Sequence, residues 1–277
     1  MIQLIERARA RGTEIYADQY PYNTTGSDGE MVLIPEWVFV DSSSGKNFVS
    51  ALRRVLASPD QAQKLRRDVA FEIGRRGDAE NIYVFDHPNQ RTIGRNVLEL
   101  ARERGIDAVE MAINLQLEGY ADRRGGARLR GFSLSEIDLD AYAGQPWVAT
   151  ASDAAVVLPE DGPAVHPRYY GTFPRKLVYY AMRRGVLTIE AAIRSMTSLP
   201  AQVLRLPERG LLREGHAADV VIIDLARLAE QATYTDPHRQ VRGVDWVITN
   251  GKTVVEDGRP TGALPGQVLM PRRSAKE

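Results

Sequence analysis

Three observations predict an α/β fold. The first twelve residues have a helical pattern that ends at Gly12 and hands over to a short apolar strand at residues 14–18. That strand feeds a loop containing Pro21, Gly26 and Gly29, which is the helix, strand and polar-loop rhythm of a βα-barrel. A second strand, residues 147–151, ends on Ser152-Asp153, and in βα-barrels the segments after the strands' C-terminal ends carry the chemistry. From Gly210 the texture turns to β, with strands at 218–224, 244–249 and 252–256 and an Asn250-Gly251 hairpin turn between the last two.

The opening helix places Met1, Leu4, Ile5 and Ala8 at helical spacing with charges on the other face. Arginines interrupt every apolar run there, so it is not read as a secretion signal. Between residues 30 and 126 the barrel rhythm breaks. Helices are expected at 48–56, 61–73, 93–104 and 108–118 and a strand at 81–85, and this block is read as an insertion. Asp107, with Glu110 three residues on, is a variant of the capping box. Residues 129–132 make a strand candidate, and the run from Ser133 to Glu136 is read as a capping box opening a helix through Tyr142. After residue 173 come helices at 177–183 and 188–196, and residues 271–277 are expected to fray. The resulting division is a first barrel segment at 1–29, the insertion at 30–126, a second barrel segment at 127–206, and a β segment with tail at 207–277.

Composition narrows the function. Lys plus Arg number 36 and Asp plus Glu number 36, so nothing pulls the chain as a whole toward nucleic acid or acidic membranes. No segment reaches the roughly 20 apolar residues of a membrane-spanning helix. The chain has no cysteine, which excludes disulfides and thiolate metal sites within it and fits a reducing, cytoplasmic compartment. The 4 histidines, His87, His166, His216 and His238, show no metal-ligand spacing.

Seven motifs, spread over nearly the whole chain, carry a resemblance. They are Ala17-Asp18-Gln19-Tyr20-Pro21-Tyr22; Ser152-Asp153; His166-Pro167-Arg168; Gly171-Thr172-Phe173-Pro174-Arg175; Met196-Thr197-Ser198-Leu199-Pro200-Ala201; Arg209 to Gly215 with Ala218-Asp219; and Thr261 to Gly266. In this order they resemble the C-terminal half of the N-acyl-D-amino-acid deacylases (D-aminoacylases) of the amidohydrolase superfamily. The resemblance implies the last two strands of a metal-dependent (β/α)8 barrel, residues 14–18 as strand seven and 147–151 as strand eight. It also implies an insertion between them and part of a small β-sandwich. The family's histidine and cysteine metal ligands belong to the part before strand seven, so zinc is implied by the family while no residue of this chain inherits a ligand role.

By the same resemblance, Asp153 is the carboxylate that takes a proton from activated water and later gives one to the leaving amine. Read alone, an Asp at such a place caps a helix or sits in a loop. Arg168 would grip the substrate carboxylate, a task suited to a planar guanidinium with parallel donors, where the ordinary alternative is a surface ion pair. Tyr20 would contact the substrate or the developing oxyanion, with ring packing as its default role. Leu134 falls where the family lines its side-chain pocket, and a core leucine explains it as easily. Gly26, between Thr25 and Ser27, stands where the family often has a substrate-contacting serine. Ala154 follows Asp153 where glycine or an acidic residue is common, and nothing in the sequence explains that change. His166 is expected to make a structural hydrogen bond beside these residues rather than bind metal.

The function expected is hydrolysis of the amide C–N bond of N-acyl-D-amino acids, with this chain inactive alone. Two alternatives stay open: a subunit completed by a second chain that carries the metal site, and a metal-free interaction module or remnant.

Overall fold

The structure, a computed structural model, describes residues 1–25, 33–39, 47–162 and 165–271. Gly26, Ser27, Gly29 and the tail from 272 lie outside the described residues. The element order is α1 (Ile2–Ala10), β1 (Ala17–Gln19), α2 (Phe48–Leu56), α3 (Pro59–Arg75), β2 (Ile82–Asp86), α4 (Val97–Arg104), α5 (Ala108–Leu117), β3 (Arg128–Gly131), α6 (Glu136–Ala143) and β4 (Val148–Thr150). Then follow α7 (Arg168–Arg175), running directly into a π-helical stretch (Lys176–Arg183), α8 (Ile189–Met196), α9 (Ser198–Val203) and strands β5 (Val220–Ile223), β6 (Val244–Thr249), β7 (Lys252–Glu256) and β8 (Arg259–Pro260). The described strands form a parallel pair, β1 with β4, an antiparallel pair, β2 with β3, and an antiparallel sheet in the order β5-β6-β7-β8.

The largest apolar core lies in the middle of the chain. α3 turns Leu65, Val69 and Ile73 inward at four-residue spacing, and α2 turns in Leu52 and Val55. These close on Ile82 and Val84 of β2, Leu129 of β3, and Met111 and Leu115 of α5. Each fully buried side chain of this size contributes about 1.5–3 kcal/mol. A second, smaller core joins Leu177, Val178 and Ala181 to Ala192 and Leu228.

Several element ends depart from the sequence reading, each for a local reason. The helix expected from 93 starts at Val97, because the Asn96 side chain accepts the Glu99 N–H at 2.8 Å and caps it there. Residues 94 and 95 are held as strand-like chain against Val84. The cap of α6 is Ser135, whose hydroxyl accepts the Ile137 N–H, while the Ser133 hydroxyl pairs with Thr25 at 2.9 Å. The helix expected from 177 begins nine residues earlier, at Arg168, as α7. The strand expected at 14–18 is Ala17–Gln19. Asp107 does accept the Glu110 N–H, at 2.7 Å. α1 buries none of its residues; it meets the rest through the Trp147 indole N–H, which donates to Glu6.

Candidate active site

Parallel pairing makes the two strands leave their sheet at the same end. Ala17 lies beside Val148, Asp18 beside Ala149 and Gln19 beside Thr150. The Ala151 N–H donates to the Gln19 carbonyl at 3.1 Å, so the pairing persists past β4. Tyr20 follows one strand and Ser152-Asp153 the other. Asp153 itself has φ of +46°, a left-handed conformation that Asp tolerates better than most residues and that turns the chain sharply just past the strand.

Arg168, the first residue of α7, reaches this strand end with its side chain. Its Nη1 lies 2.9 Å from the Asp153 Oδ2; the arginine side chain is 4% exposed and the aspartate side chain 64%. The guanidinium carbon lies 5.0 Å from the centre of the Tyr20 ring, within cation–π range. Asp153, Arg168 and Tyr20, far apart in the chain, therefore meet at one place. Tyr20 and Asp153 line an open cavity of about 810 Å³ together with Leu134, Leu139, Tyr142 and others, so Leu134 shares this space with the strand ends.

A layer of buried polar groups fixes these side chains. The Arg168 N–H donates to Nδ1 of His166 at 3.0 Å, which leaves the ring proton on Nε2. Nε2 then donates to the Thr24 hydroxyl at 2.6 Å, and that hydroxyl is free to donate to Tyr234 at 3.1 Å. The Tyr20 hydroxyl donates to the Thr24 carbonyl at 2.7 Å, so Thr24 ties the tyrosine to the same network. Burial, followed by the cations Arg130, Arg168 and Arg175, pushes the His166 pKa down to about 2, and the ring is neutral. Burial also raises the Tyr20 hydroxyl above its usual range; Arg168 opposes that shift and Asp153 adds to it.

Glu230 anchors a second arm of the network. Its carboxylate accepts the Tyr22 hydroxyl at 2.7 Å and pairs with Arg175 at 3.1 Å, while the Arg175 Nε–H donates to the Pro21 carbonyl at 2.6 Å. The loop bearing Tyr20 is thereby fastened to the helix bearing Arg168. Sequence reading gave no role to Glu230 or Tyr234. No local pattern marks them, since their partners lie about 210 residues back in the chain.

The described residues do not fit a metal ion. Among the described residues no group of three or more His, Cys, Asp or Glu side chains could hold one. His166 is consumed by the network above. His87 is buried with Nδ1 accepting the Asn89 N–H, and His238 sits between the Tyr170 hydroxyl and the Gly162 carbonyl. What the site offers is a buried cation paired with a more exposed carboxylate, flanked by a tyrosine and an apolar wall, which suits a small carboxylate-bearing molecule.

A buried cation and a carboxylate at the shared end of two parallel strands, with helices around them, place the chain in the α/β class. The chain belongs to the amidohydrolase family, whose model matches residues 58–255. It is 36% identical over 179 residues to an N-acyl-D-aspartate deacylase of Alcaligenes xylosoxydans xylosoxydans, a match covering 64% of this chain and 33% of that protein. Among solved structures it is similar to a D-aminoacylase described as defining a novel subset of amidohydrolases, at 27% identity and a TM-score of 0.62. That match covers 94% of this chain and 44% of the other. An N-acyl-D-glutamate deacylase from Bordetella bronchiseptica, solved with zinc and a phosphonate mimic of the tetrahedral intermediate, matches with the same identity, TM-score and coverages. The chain thus spans between a third and a half of the length of these relatives.

Proposed function

We propose that this chain forms the substrate-gripping side of a deacylase that hydrolyses the amide C–N bond of N-acyl-D-amino acids. The observation that carries the reading is the Asp153–Arg168 pair at 2.9 Å, set at the ends of two parallel strands beside Tyr20 and an open cavity. On this reading β1 and β4 are the last two strands of a barrel, residues 30–126 are an insertion between them, and residues 207–277 belong to a small β-sandwich.

Arg168 holds the substrate carboxylate, with Tyr20 beneath the guanidinium and Leu134 against the substrate side chain. Hydrolysis adds water to the amide carbonyl and breaks the C–N bond, and the departing nitrogen must receive a proton. Asp153, the more exposed partner of the pair, carries that proton. The relatives' chemistry is metal-assisted, with zinc in one solved relative. The described residues here do not fit zinc, so no step is assigned to it. That same misfit favours a second reading, a binding module for N-acyl amino acids that performs no turnover.

Calorimetric titration of the full chain with N-acetyl-D-alanine, alongside an assay for free amine, separates these readings. Saturable binding that weakens about tenfold or more in Arg168→Met is expected from the loss of a charge-assisted contact. Asp153→Asn removes the anion that competes for Arg168, so binding is expected to tighten severalfold while any amine release stops. Binding without amine release is expected of this chain alone on either reading; the module is selected only if release also fails when the metal-bearing half of a relative is added with zinc. Absence of binding overturns both.

A further inference from the structure

The cavity has two unlike walls. One is formed by the strand ends with Tyr20, Ala151 and Asp153; the other is formed by Leu134 and by Ser135, Asp138, Leu139 and Tyr142. Ser135 is the cap of α6, and the other three follow it at spacings of three, four and seven residues, which puts all four on one helix face. Asp18 of β1 also reaches the cavity. Apart from Asp153, already engaged by Arg168, the charged residues lining the space are therefore Asp18 and Asp138. Both are exposed, and no described cation pairs with either. Among the described residues no lysine or arginine lines the cavity; Arg168 stands behind its rim, reaching it only through its contacts with Asp153 and Tyr20.

We propose that this cavity selects its ligand by side-chain charge: it accepts N-acyl amino acids whose side chain is an aliphatic stem ending in a cation, and it rejects those with an acidic side chain. The inference rests on the reading that Arg168 takes the α-carboxylate. With that group fixed, Leu134, Leu139 and Tyr142 in the lining suit the methylene groups of a ligand side chain, and Asp138 and Asp18 in the same lining suit a terminal ammonium or guanidinium. A carboxylate at the same place meets two like charges with no counter-cation, which is discrimination by repulsion as well as by attraction. The expectation runs against two relatives, whose names give them acidic substrates, N-acyl-D-aspartate and N-acyl-D-glutamate.

The test uses three probes, N-acetyl-D-lysine and the isosteric pair N-acetyl-D-glutamine and N-acetyl-D-glutamate, titrated calorimetrically into the full chain at low ionic strength. Lysine is expected to bind about tenfold or more tightly than glutamate, with glutamine between them. The gap is expected to narrow as salt is added, because the acidic wall is exposed. Asp138→Asn and Asp18→Asn, both at exposed positions, are expected to shrink the gap severalfold and leave glutamine unchanged. Glutamate binding as tightly as lysine, with both lost in Arg168→Met, overturns the charge selection and leaves the carboxylate grip standing. A gap that persists undiminished in the Asp18 and Asp138 double variant also overturns it. Failure of all three probes to bind removes the grip and the selection together.

Discussion

His166 shows how a titratable residue beside a candidate site can serve position rather than chemistry. Both of its ring nitrogens are committed, one accepting the Arg168 N–H and the other donating to Thr24, and its pKa of about 2 keeps it neutral. The folded-state value lies below the ordinary one near 6.5. As pH falls below 6.5 the unfolded chain therefore gains a proton that the folded chain refuses, and stability is lost toward pH 2. The slope from this one group approaches about 1.4 kcal/mol per pH unit. Urea unfolding at a series of pH values between 7 and 4 is expected to show a shallower decline in His166→Asn, which keeps an acceptor near the Arg168 N–H. Equal slopes in the two proteins would contradict the assignment. The histidine's isolation was legible in the sequence, since no other histidine lies near it. Its partners were not, because Thr24 and Tyr234 are brought to it only by the fold.

At the scale of elements, the site depends on how closely α7 approaches the loop after β1. Gly171 makes that approach possible: a Cβ there would lie 2.4 Å from the Tyr22 hydroxyl and 2.9 Å from Oε1 of Glu230, two atoms held by their mutual hydrogen bond. Gly171→Ala is expected to destabilise the chain by about 1–3 kcal/mol, the usual range for overpacking a well-packed site. It should also loosen the Tyr22 and Arg175 contacts that fasten the Tyr20 loop, and thermal unfolding with the alanine variant beside wild type measures the loss. An unchanged midpoint would mean that the approach is looser than these distances describe. The start of α7 was hidden in the sequence because Pro167 and Pro174 both read as breakers. Pro167 sits just outside the helix, where its fixed φ does no harm, and Pro174 falls at the join to the π-helical stretch. That stretch carries the buried Lys176, which donates to the Ala143 carbonyl at the end of α6, and burial lowers its ammonium to about 8. The helix that bears Arg168 is thus also tied to the helix that lines the cavity. The cap at Asp107 was readable because a cap is a contact within four residues; those at Asn96 and Ser135 were displaced by tertiary pairing of the residues before them.

For the whole molecule, the β hairpin and the four helices between 48 and 117 could be read from local pattern, whereas the parallel pairing of β1 with β4 joins segments some 130 residues apart and has no local signature. Only the family motifs hinted at it. The apolar cores repeat this division: the large one draws its buried members from residues 33 to 129, while the smaller one is assembled from residues 177 to 228. No buried side chain is common to both clusters, so a cavity made in one removes contacts from that one alone. Leu65 has no exposed surface and belongs to the large core. Leu65→Ala is expected to cost about 2–5 kcal/mol through lost burial and the cavity left behind. If residues 30–126 are an insertion with their own core, the loss falls unevenly. Amide hydrogen exchange followed by mass spectrometry should then show protection falling in α2, α3, α4 and α5 while β5, β6 and β7 keep theirs. A uniform fall across all of these elements would mean that the chain opens as a single cooperative unit, and the division at 30 and 126 would have to be withdrawn.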